Sequence, residues 1–439
     1  MSHPTGILTA DHGCRARLAV RPLALGRVVG LLGLRVTVSG VTAALGDLLE
    51  VRGLAGPVPV EVVASGDGQL TCLPLGATTG LRVGDHVVNH GEGLRIPVGE
   101  ALRGRVLDGL GRPIDTGPAL DDLPTAVVDN LPPAALSRPR IDQQLGLGVR
   151  AMDALIACGR GQRLGIMAGS GVGKSSLLSM IARGTDAEIS VIALIGERGR
   201  EVREFLENDL GPEGLRRSIV VVATSDEPPV VRLRAAFVAT RIAEWFRDSG
   251  RHVVLMMDSL TRVALAQREI GLSAGEPPAT RGYPPSVFAL LPRLLERAGT
   301  SPEGSITGLY TVLVEGDDLQ DPIGDSARSI LDGHVVLSRD LATSGHFPSI
   351  DVLESISRVA SAIIDPAGRA DTTRLRRLLA AYRSVRELVE IGAYVAGTDA
   401  DADDALALMP RINDFLRQDM SDATPTADTW SALHELVTP

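Results

Sequence analysis

Residues 168–175 read Ala-Gly-Ser-Gly-Val-Gly-Lys-Ser and lie between an apolar run, 164–167, and a helical pattern, 177–181. This order predicts a strand, a glycine-rich loop and a helix, whose loop N–H groups and N-terminus bind phosphate oxygens. Ala168 stands where the usual pattern has glycine, but three glycines nearer the phosphates remain, so we expect little cost. The sequence therefore predicts a site for a nucleoside triphosphate. The predicted phosphate-binding residues are Gly169, Ser170, Gly171, Val172, Gly173, Lys174, Ser175 and Ser176.

Two side chains at the end of this loop have predicted roles of their own. The Lys174 ammonium is expected to reach the outer phosphates, and the Ser175 hydroxyl is expected to ligate Mg²⁺. A strand-end carboxylate would complete the metal's ligands. Asp258 ends the apolar run 253–257 and is the candidate for that position.

Composition and charge restrict the classes of protein. The 439 residues are enough for about two to four domains. A net charge of −10 argues against a general nucleic-acid or membrane surface. The three cysteines have no metal-ligand spacing, which is typical of small buried residues in a reducing cytoplasm. No apolar stretch approaches the ~18 residues of a membrane span, so we expect a soluble, cytoplasmic protein.

The pattern of apolar runs predicts three domains. Short β-type runs divided by glycines predict a small β-barrel over 1–97. Over 98–360, alternating strand and helix patterns predict an α/β nucleotide-binding core with a buried parallel sheet and helices on both faces. Over 361–439, amphipathic patterns predict a helical domain. The predicted core strands are 164–168, 191–195, 219–223, 253–257, 306–314 and 334–337.

A charged cluster follows the strand predicted at 191–195. Cleavage of a phosphoanhydride needs a group that orients and polarises the attacking water. Glu197 is the best-placed carboxylate for that task, and Arg198 and Glu201 are candidates to position it or the metal ligands. A charged loop without a catalytic role is the alternative for this cluster taken by itself.

Two further candidates lie near residue 350. Phe347 precedes a proline, and its flat ring suits stacking on a nucleobase, although packing in the core is the alternative. Arg358 carries a guanidinium that cannot deprotonate and so has the chemistry of an arginine finger. An ordinary surface arginine is the alternative reading of Arg358.

The motifs taken together, in this order, resemble the ATPases that energise bacterial type III protein export, most closely the flagellum-specific ones. These are relatives of the subunits of rotary ATP synthases. The resemblance covers about residues 101–416 and is only general before residue 100. The matching stretches are 169–175, 196–201, 226–228 with 231–236, 257–262, 275–286, 314–318, 348–351 and 355–357.

This resemblance implies that the α/β core is RecA-like, between the β-barrel and the helical domain. It also implies a homo-hexameric ring with ATP and Mg²⁺ at the subunit interfaces. By resemblance, Glu197 activates water, Asp258 supports the metal and Arg198 senses the γ-phosphate. Phe347 would face adenine at a position where the family often has tyrosine, and Arg358 would reach the neighbouring subunit's site.

Partners and location follow from the resemblance as well. The implied partners are a regulatory stator-like protein, a central stalk protein, the export gate and chaperone–substrate complexes. Nucleic acid is not among them, and membrane association would occur through partners only, at the cytoplasmic face of the export apparatus. The first ~20 residues are the usual docking segment for the regulator, but they show no clear amphipathic helix here.

Four functional alternatives remain at this point. The first is an injectisome type III secretion ATPase, which is close to the flagellar form. The Glu-Gly-Asp-Asp segment at 315–318 favours the flagellar form. A rotary synthase catalytic subunit shares the core motifs but would need paired partner subunits. A hexameric RNA helicase would need aromatic residues in its barrel, and residues 1–100 contain no Phe, Tyr or Trp. A subunit that binds nucleotide without cleaving it would be expected to lack the carboxylate of Glu197.

Overall fold

The computed structural model of the protein describes residues 25–91, 93–314 and 321–438. Within it the chain forms two compact units, one that ends at Gly93 and one that begins at Leu94. The candidate docking segment, Cys14 and the 315–318 motif lie outside the described residues. The other two cysteines, Cys72 and Cys158, are buried free thiols, as predicted.

The first unit is a closed antiparallel barrel with the strand order β1-β2-β5-β4-β3-β6. Alternate side chains point inward along the strands, and the barrel core holds Val36, Val38, Leu49 and Val51. Closure pairs every strand on both edges, which removes the exposed edges of an open sheet. The predicted barrel is confirmed. Its strands are β1 Leu25–Leu32, β2 Arg35–Ser39, β3 Leu48–Gly53, β4 Gly56–Gly66, β5 Gln69–Pro74 and β6 His86–Asn89.

The second unit contains a large sheet with the strand order β19-β18-β12-β17-β15-β13-β14-β8. All of these strands are parallel except β19, and a short β16 pairs antiparallel with β17. Two further two-stranded sheets pair β7 with β9 and β10 with β11. The strands of the second unit are β7 Arg95–Pro97, β8 Val106–Asp108, β9 Thr125–Val127, β10 Gln144–Leu145, β11 Cys158–Gly159, β12 Arg163–Ala168, β13 Ile189–Ile195, β14 Ser218–Ala223, β15 His252–Asp258, β16 Gly299–Thr300, β17 Ser305–Leu313, β18 Gly333–Leu337 and β19 Ile350–Ser357.

The six predicted core strands all form, and apolar residues make up most of each of them. Every residue of β13 and β14 is buried, which is the pattern of a strand covered on both faces. The sequence did not predict β8 or β19. Both lie at sheet edges: β8 has only three residues, and β19 alternates buried residues with more exposed ones, so neither forms a long apolar run.

Helices connect the strands and follow them to the C-terminus. A π-helical turn, Phe205–Leu210, joins α3 to α4. The helices are α1 Arg150–Leu155, α2 Lys174–Gly184, α3 Gly199–Glu204, α4 Gly211–Arg216, α5 Pro229–Asp248, α6 Leu260–Ala274, α7 Pro285–Leu295, α8 Pro322–Ile330, α9 Arg339–Thr343, α10 Ala360–Ile363, α11 Pro366–Glu390, α12 Ala400–Leu416 and α13 Thr426–Val437.

The three C-terminal helices share a hydrophobic core with the sheet unit. Leu375 on α11, Ile412 on α12 and Leu433 on α13 are fully buried in the cluster that contains Leu147 and Met152. These helices therefore belong to the second compact unit. The domain boundaries predicted at 97/98 and 360/361 stay predictions.

The chain that enters α1 is held by a buried carboxyl group. Asp153 accepts hydrogen bonds from the backbone N–H of Leu147 at 2.9 Å and of Gly148 at 3.0 Å. Burial raises the pKa of Asp153 to about 7, and the nearby Asp186 carboxylate adds to the rise. Since the folded-state pKa exceeds the unfolded one, this group stabilises the fold at low pH. That contribution is lost as the pH rises towards about 7.

We therefore expect the loss of unfolding free energy caused by Asp153→Asn to become smaller as the pH rises. Between about pH 4 and pH 7, the parent protein should lose up to about 1.4 kcal/mol of unfolding free energy per pH unit from this group, and the variant should not. Denaturant unfolding of both proteins at pH 5, 6, 7 and 8 measures the difference. Parallel pH profiles for the two proteins would contradict the buried, high-pKa carboxyl.

Candidate active site

The glycine-rich loop connects β12 to α2, as predicted. Gly171 has φ of 77° and Gly173 has φ of 92°, a left-handed backbone that glycine adopts without strain. Ala168 is the last residue of β12, and its carbonyl accepts the N–H of Val314 at 3.0 Å. Because Ala168 lies in the strand rather than in the turn, its methyl group is tolerated there.

Lys174, the first residue of α2, bridges two carboxylates. Its Nζ lies 2.5 Å from Oδ1 of Asp258 and 3.3 Å from Oε1 of Glu197. Asp258 ends β15 and Glu197 follows β13, and both strands run parallel to β12 in the same sheet. The carboxyl ends of parallel strands meet at one edge of the sheet, which is where open α/β sheets bind ligands. The structure thus brings together three predicted residues.

The two carboxylates also set the electrostatics of the lysine. Burial by itself would lower the pKa of Lys174, but the negative charges of Asp258 and Glu197 outweigh it and raise the pKa. Lys174 therefore stays protonated in this pocket. A fixed positive charge beside the loop is what an anionic phosphate requires.

Asp258 is buried and is held from the neighbouring strand. Its side-chain Oδ1 accepts a hydrogen bond from Oγ1 of Thr311 at 2.8 Å. Thr311 lies on β17, which pairs with both β12 and β15. The hydroxyl fixes the carboxylate on the side of the loop, and Asp258 is 3% exposed.

Glu197 lies in a partly desolvated position at the tip of β13. Burial raises the pKa of Glu197, and the Asp258 charge and a hydrogen bond with Glu201 add to the rise, against the opposing effect of Lys174. A carboxyl group with a raised pKa is suited to accept a proton near neutral pH. The backbone is fixed here as well, because Ser225 N–H donates to the carbonyl of Glu197 at 3.0 Å.

The residue before Glu197 is packed against an arginine. Gly196 has φ of 72°, and a Cβ there would lie 3.0 Å from Cβ of Arg262. The Nε of Arg262 is buried and has no hydrogen-bond partner among the described residues. The aliphatic part of the Arg262 side chain therefore packs against the backbone of the residue that precedes Glu197.

Phe347 lies beside the loop, as its predicted role requires. The ring is 46% exposed, and a Cβ on Gly173 would be 3.5 Å from its Cδ1 and Cε1. The peptide bond to Pro348 is cis. Oγ of Ser349 donates to the carbonyl of Val172 at 2.6 Å and ties the start of β19 to the loop.

Two predicted arginines are not in this cluster. Arg198 is exposed and caps the N-terminus of α3. Arg358 follows β19, and its guanidinium donates to the carbonyls of Leu331 and Arg328. Because β19 is antiparallel to β18, Arg358 lies at the amino ends of the parallel strands, opposite the loop. At about 3.3 Å per residue, the six-residue β12 alone separates the two edges by ~17 Å.

Some contacts of the site were not identified from the sequence. The roles of Thr311 and Ser349 depend on strand order, which a single sequence does not specify. Arg339 also binds the loop, since its Nη1 donates to the carbonyl of Ser170 at 3.4 Å. Arg262 belongs to the stretch 257–262, one of those that carry the family resemblance. Its basic side chain, close to Asp258 in sequence, is the signal that could have identified it as part of the site.

These features define a P-loop nucleotide-binding protein of the ATP synthase type. The model of the ATP synthase alpha/beta family nucleotide-binding domain matches residues 148–357, and that of the T3SS EscN ATPase C-terminal domain matches residues 364–435. A flagellum-specific ATP synthase of Bacillus subtilis is 48% identical over 94% of each chain. A type 3 secretion system ATPase of Xanthomonas euvesicatoria is 49% identical over 93% of each chain.

A solved structure agrees with these relatives. It is the assembled ATPase EscN in complex with its central stalk EscO, from the type III secretion system of enteropathogenic E. coli. Its TM-score is 0.88 at 44% identity, and the match covers 94% of this chain and 100% of that one. The chain therefore belongs to the family of flagellum-specific and type III secretion export ATPases, and it is an ATP hydrolase of that family. Among the described helices, none has the length and apolar composition to cross a membrane.

Thr311→Val tests how Asp258 is held. The substitution keeps the shape of the side chain but removes the hydrogen bond to a buried carboxylate, so the unfolding free energy should fall by about 1–3 kcal/mol. The control is Thr240→Val, because the Thr240 hydroxyl donates to the Ala236 carbonyl of its own helix. Denaturant unfolding should show a clearly smaller loss for the control. Equal losses would contradict a special role for the Thr311 hydroxyl.

Proposed function

We propose that this chain is the flagellar export ATPase, which hydrolyses ATP at the interfaces of a homo-hexamer and energises the export of flagellar proteins. The observation that carries the proposal is the bridge from Lys174 to Asp258 and Glu197 beside the loop. It supplies a phosphate-binding cation, a candidate metal ligand and a candidate base at one edge of the sheet.

Residues 169–176 bind the phosphates in this proposal. The backbone of the loop and the first turn of α2 contribute N–H groups, and Lys174 Nζ moves from Asp258 to the β- and γ-phosphate oxygens. Phe347 stacks on adenine, which its exposed ring beside Gly173 allows. Phenylalanine keeps the stacking face of the family's frequent tyrosine and lacks only the hydroxyl.

The donor set fits Mg²⁺. Ser175 is exposed at the start of α2, and Asp258 offers a carboxylate held by Thr311, so these two residues would supply oxygen ligands. Hard oxygen ligands of this kind are what Mg²⁺ prefers. Held by Ser175 and Asp258, a bound Mg²⁺ would supply positive charge that offsets the negative charge of the phosphates.

Glu197 orients the attacking water in line with the γ-phosphate and accepts its proton. Its raised pKa supports this role, because a carboxylate with a raised pKa is a better proton acceptor. Lys174 stabilises the negative charge on the transferred phosphoryl group, and Arg198, at the N-terminus of α3, senses the γ-phosphate.

Arg358 completes the site of the adjacent protomer. Its position at the sheet edge opposite its own loop supports this role, because it cannot reach its own nucleotide. A head-to-tail ring brings the edge of one protomer to the loop of the next. Such an arginine finger is worth roughly 10³–10⁵ in turnover rate, so hydrolysis depends on assembly.

We test the shared site by mixing two inactive variants. Glu197→Gln should bind ATP but hydrolyse it about 10²–10⁴-fold more slowly, because the base is lost. Arg358→Ala should bind ATP and lose about 10³–10⁵ in turnover. In rings assembled from equal amounts of both, about one interface in four pairs an intact Glu197 with an intact Arg358. Phosphate release should therefore recover in the mixture.

The control arginine is Arg386, which is exposed and pairs with Glu390 on α11. Arg386→Ala should keep the parent's turnover. No recovery in the mixture, although mixed rings form, would rule out a site built by two protomers. Parent-like turnover of Arg358→Ala would also rule it out.

The proposed partners are a stator-like regulator, a central stalk protein, the export gate and chaperone–substrate complexes, at the cytoplasmic face of the export apparatus. Membrane association occurs through these partners. The solved relative that is complexed with its central stalk supports the stalk contact. The motif at 315–318 favours flagellar over injectisome export.

Affinity purification of the tagged chain from its own cells distinguishes the two systems. We expect flagellar export components to co-purify, with an Arg386→Ala version of the chain as a control for tagging and expression. Co-purification of injectisome components alone would instead assign the chain to that system. Recovery of synthase subunits would contradict an export function altogether.

A further inference from the structure

The base-stacking candidate Phe347 is hydrogen-bonded to the C-terminal part of the chain. Its carbonyl accepts the backbone N–H of Gln418 at 2.9 Å. Gln418 lies just beyond α12 and is 6% exposed. A buried segment far away in sequence therefore fixes the backbone of the residue that is proposed to contact the base.

The side chain of Gln418 is itself fully engaged. Its Oε1 accepts the backbone N–H of Arg150 at 2.9 Å. Its Nε2 donates to the carbonyls of Gly148 at 2.7 Å and Asp422 at 3.0 Å. These bonds attach Gln418 to the chain that enters α1, which Asp153 holds from the other side. A buried amide with all of these partners rigidifies the segment that carries it.

Arg150 holds the same segment from a second direction. Its guanidinium donates to the carbonyl of Phe415 at 2.8 Å, to the carbonyl of Arg417, and to Oδ2 of Asp422 at 3.0 Å. The stretch 415–422 thus wraps around the first residue of α1. Gln418 is the point at which this wrapped stretch touches Phe347.

We propose that Gln418 is a positioning residue for nucleobase binding, because it holds the Phe347 ring against the phosphate-binding loop. The inference rests on the proposed function, in which Phe347 faces adenine. Ser349 fixes the loop side of Phe347 through Val172, and Gln418 fixes the other side. Without its side chain, residue 418 loses its own attachment to Gly148 and Arg150, although Arg150 still binds residues 415, 417 and 422, so the Phe347 ring is held less firmly.

The test compares a ligand that has a base with one that lacks it. Binding of ATP and of inorganic tripolyphosphate, each with Mg²⁺, is measured by titration calorimetry on the full chain. For Gln418→Ala we expect ATP affinity to fall about three- to tenfold, the range for one lost hydrogen bond. Tripolyphosphate affinity should change less than about twofold, because the loop itself is intact.

Gln144→Ala is the matched control. The Gln144 amide also joins the C-terminal helices to α1, since it donates to the carbonyl of Asp153 and accepts from Nε1 of Trp430. It makes no contact with the stretch that binds Phe347 in the described hydrogen bonds. A similar loss of stability without a selective loss of ATP affinity is expected for this variant.

Gln418→Glu is the second variant, in case Gln418→Ala does not fold. It keeps an acceptor for the Arg150 N–H and loses the donors to Gly148 and Asp422. The same selective loss of ATP affinity is expected. Equal weakening of both ligands, or no weakening of either, would overturn the positioning role.

Phe347→Ala separates failure of this inference from failure of the proposed function. If Phe347→Ala selectively weakens ATP and the Gln418 variants do not, Gln418 has no positioning role and the base-stacking assignment stands. If Phe347→Ala leaves the preference for ATP over tripolyphosphate unchanged, the base-stacking assignment is wrong and this inference falls with it.

Discussion

The site depends on one interaction, the contact of the Lys174 ammonium with the carboxylates of Asp258 and Glu197. Lys174 and Glu197 are 23 positions apart along the chain, and Glu197 and Asp258 are 61 apart. They meet because β12, β13 and β15 are parallel strands that end at one edge of the sheet. Partial burial makes the charges interact more strongly than they would in water. The contact forms only because these three strands run in the same direction.

Much of this arrangement could be predicted from the sequence. The six core strands are rich in apolar residues, and Lys174, Glu197 and Asp258 each follow or end such a strand, so their shared edge was predictable. The antiparallel β19 was not, because its half-buried residues do not form an apolar run. Strand order is a long-range property, and for that reason the Thr311 hydrogen bond to Asp258 could not be predicted.

The direction of β19 has a second consequence. Phe347 lies just before the first residue of β19, beside the loop, and Arg358 lies just after its last residue, at the opposite edge of the sheet. One strand therefore separates the proposed base contact from the proposed finger. The C-terminal helices share the core of the sheet unit, and through Gln418 they bond to the Phe347 end of that strand. A change in the C-terminal segment is thereby linked to the nucleotide edge by a short chain of hydrogen bonds.

The most direct measurement is a cryo-EM structure of the assembled ring with Mg²⁺ and a non-hydrolysable ATP analogue. The account predicts that Lys174 Nζ leaves Asp258 for the phosphate oxygens, and that the Arg358 guanidinium of the adjacent protomer lies about 3 Å from the γ-phosphate. A ring in which every Arg358 stays bonded to the Leu331 and Arg328 carbonyls of its own chain, away from any phosphate, would contradict it.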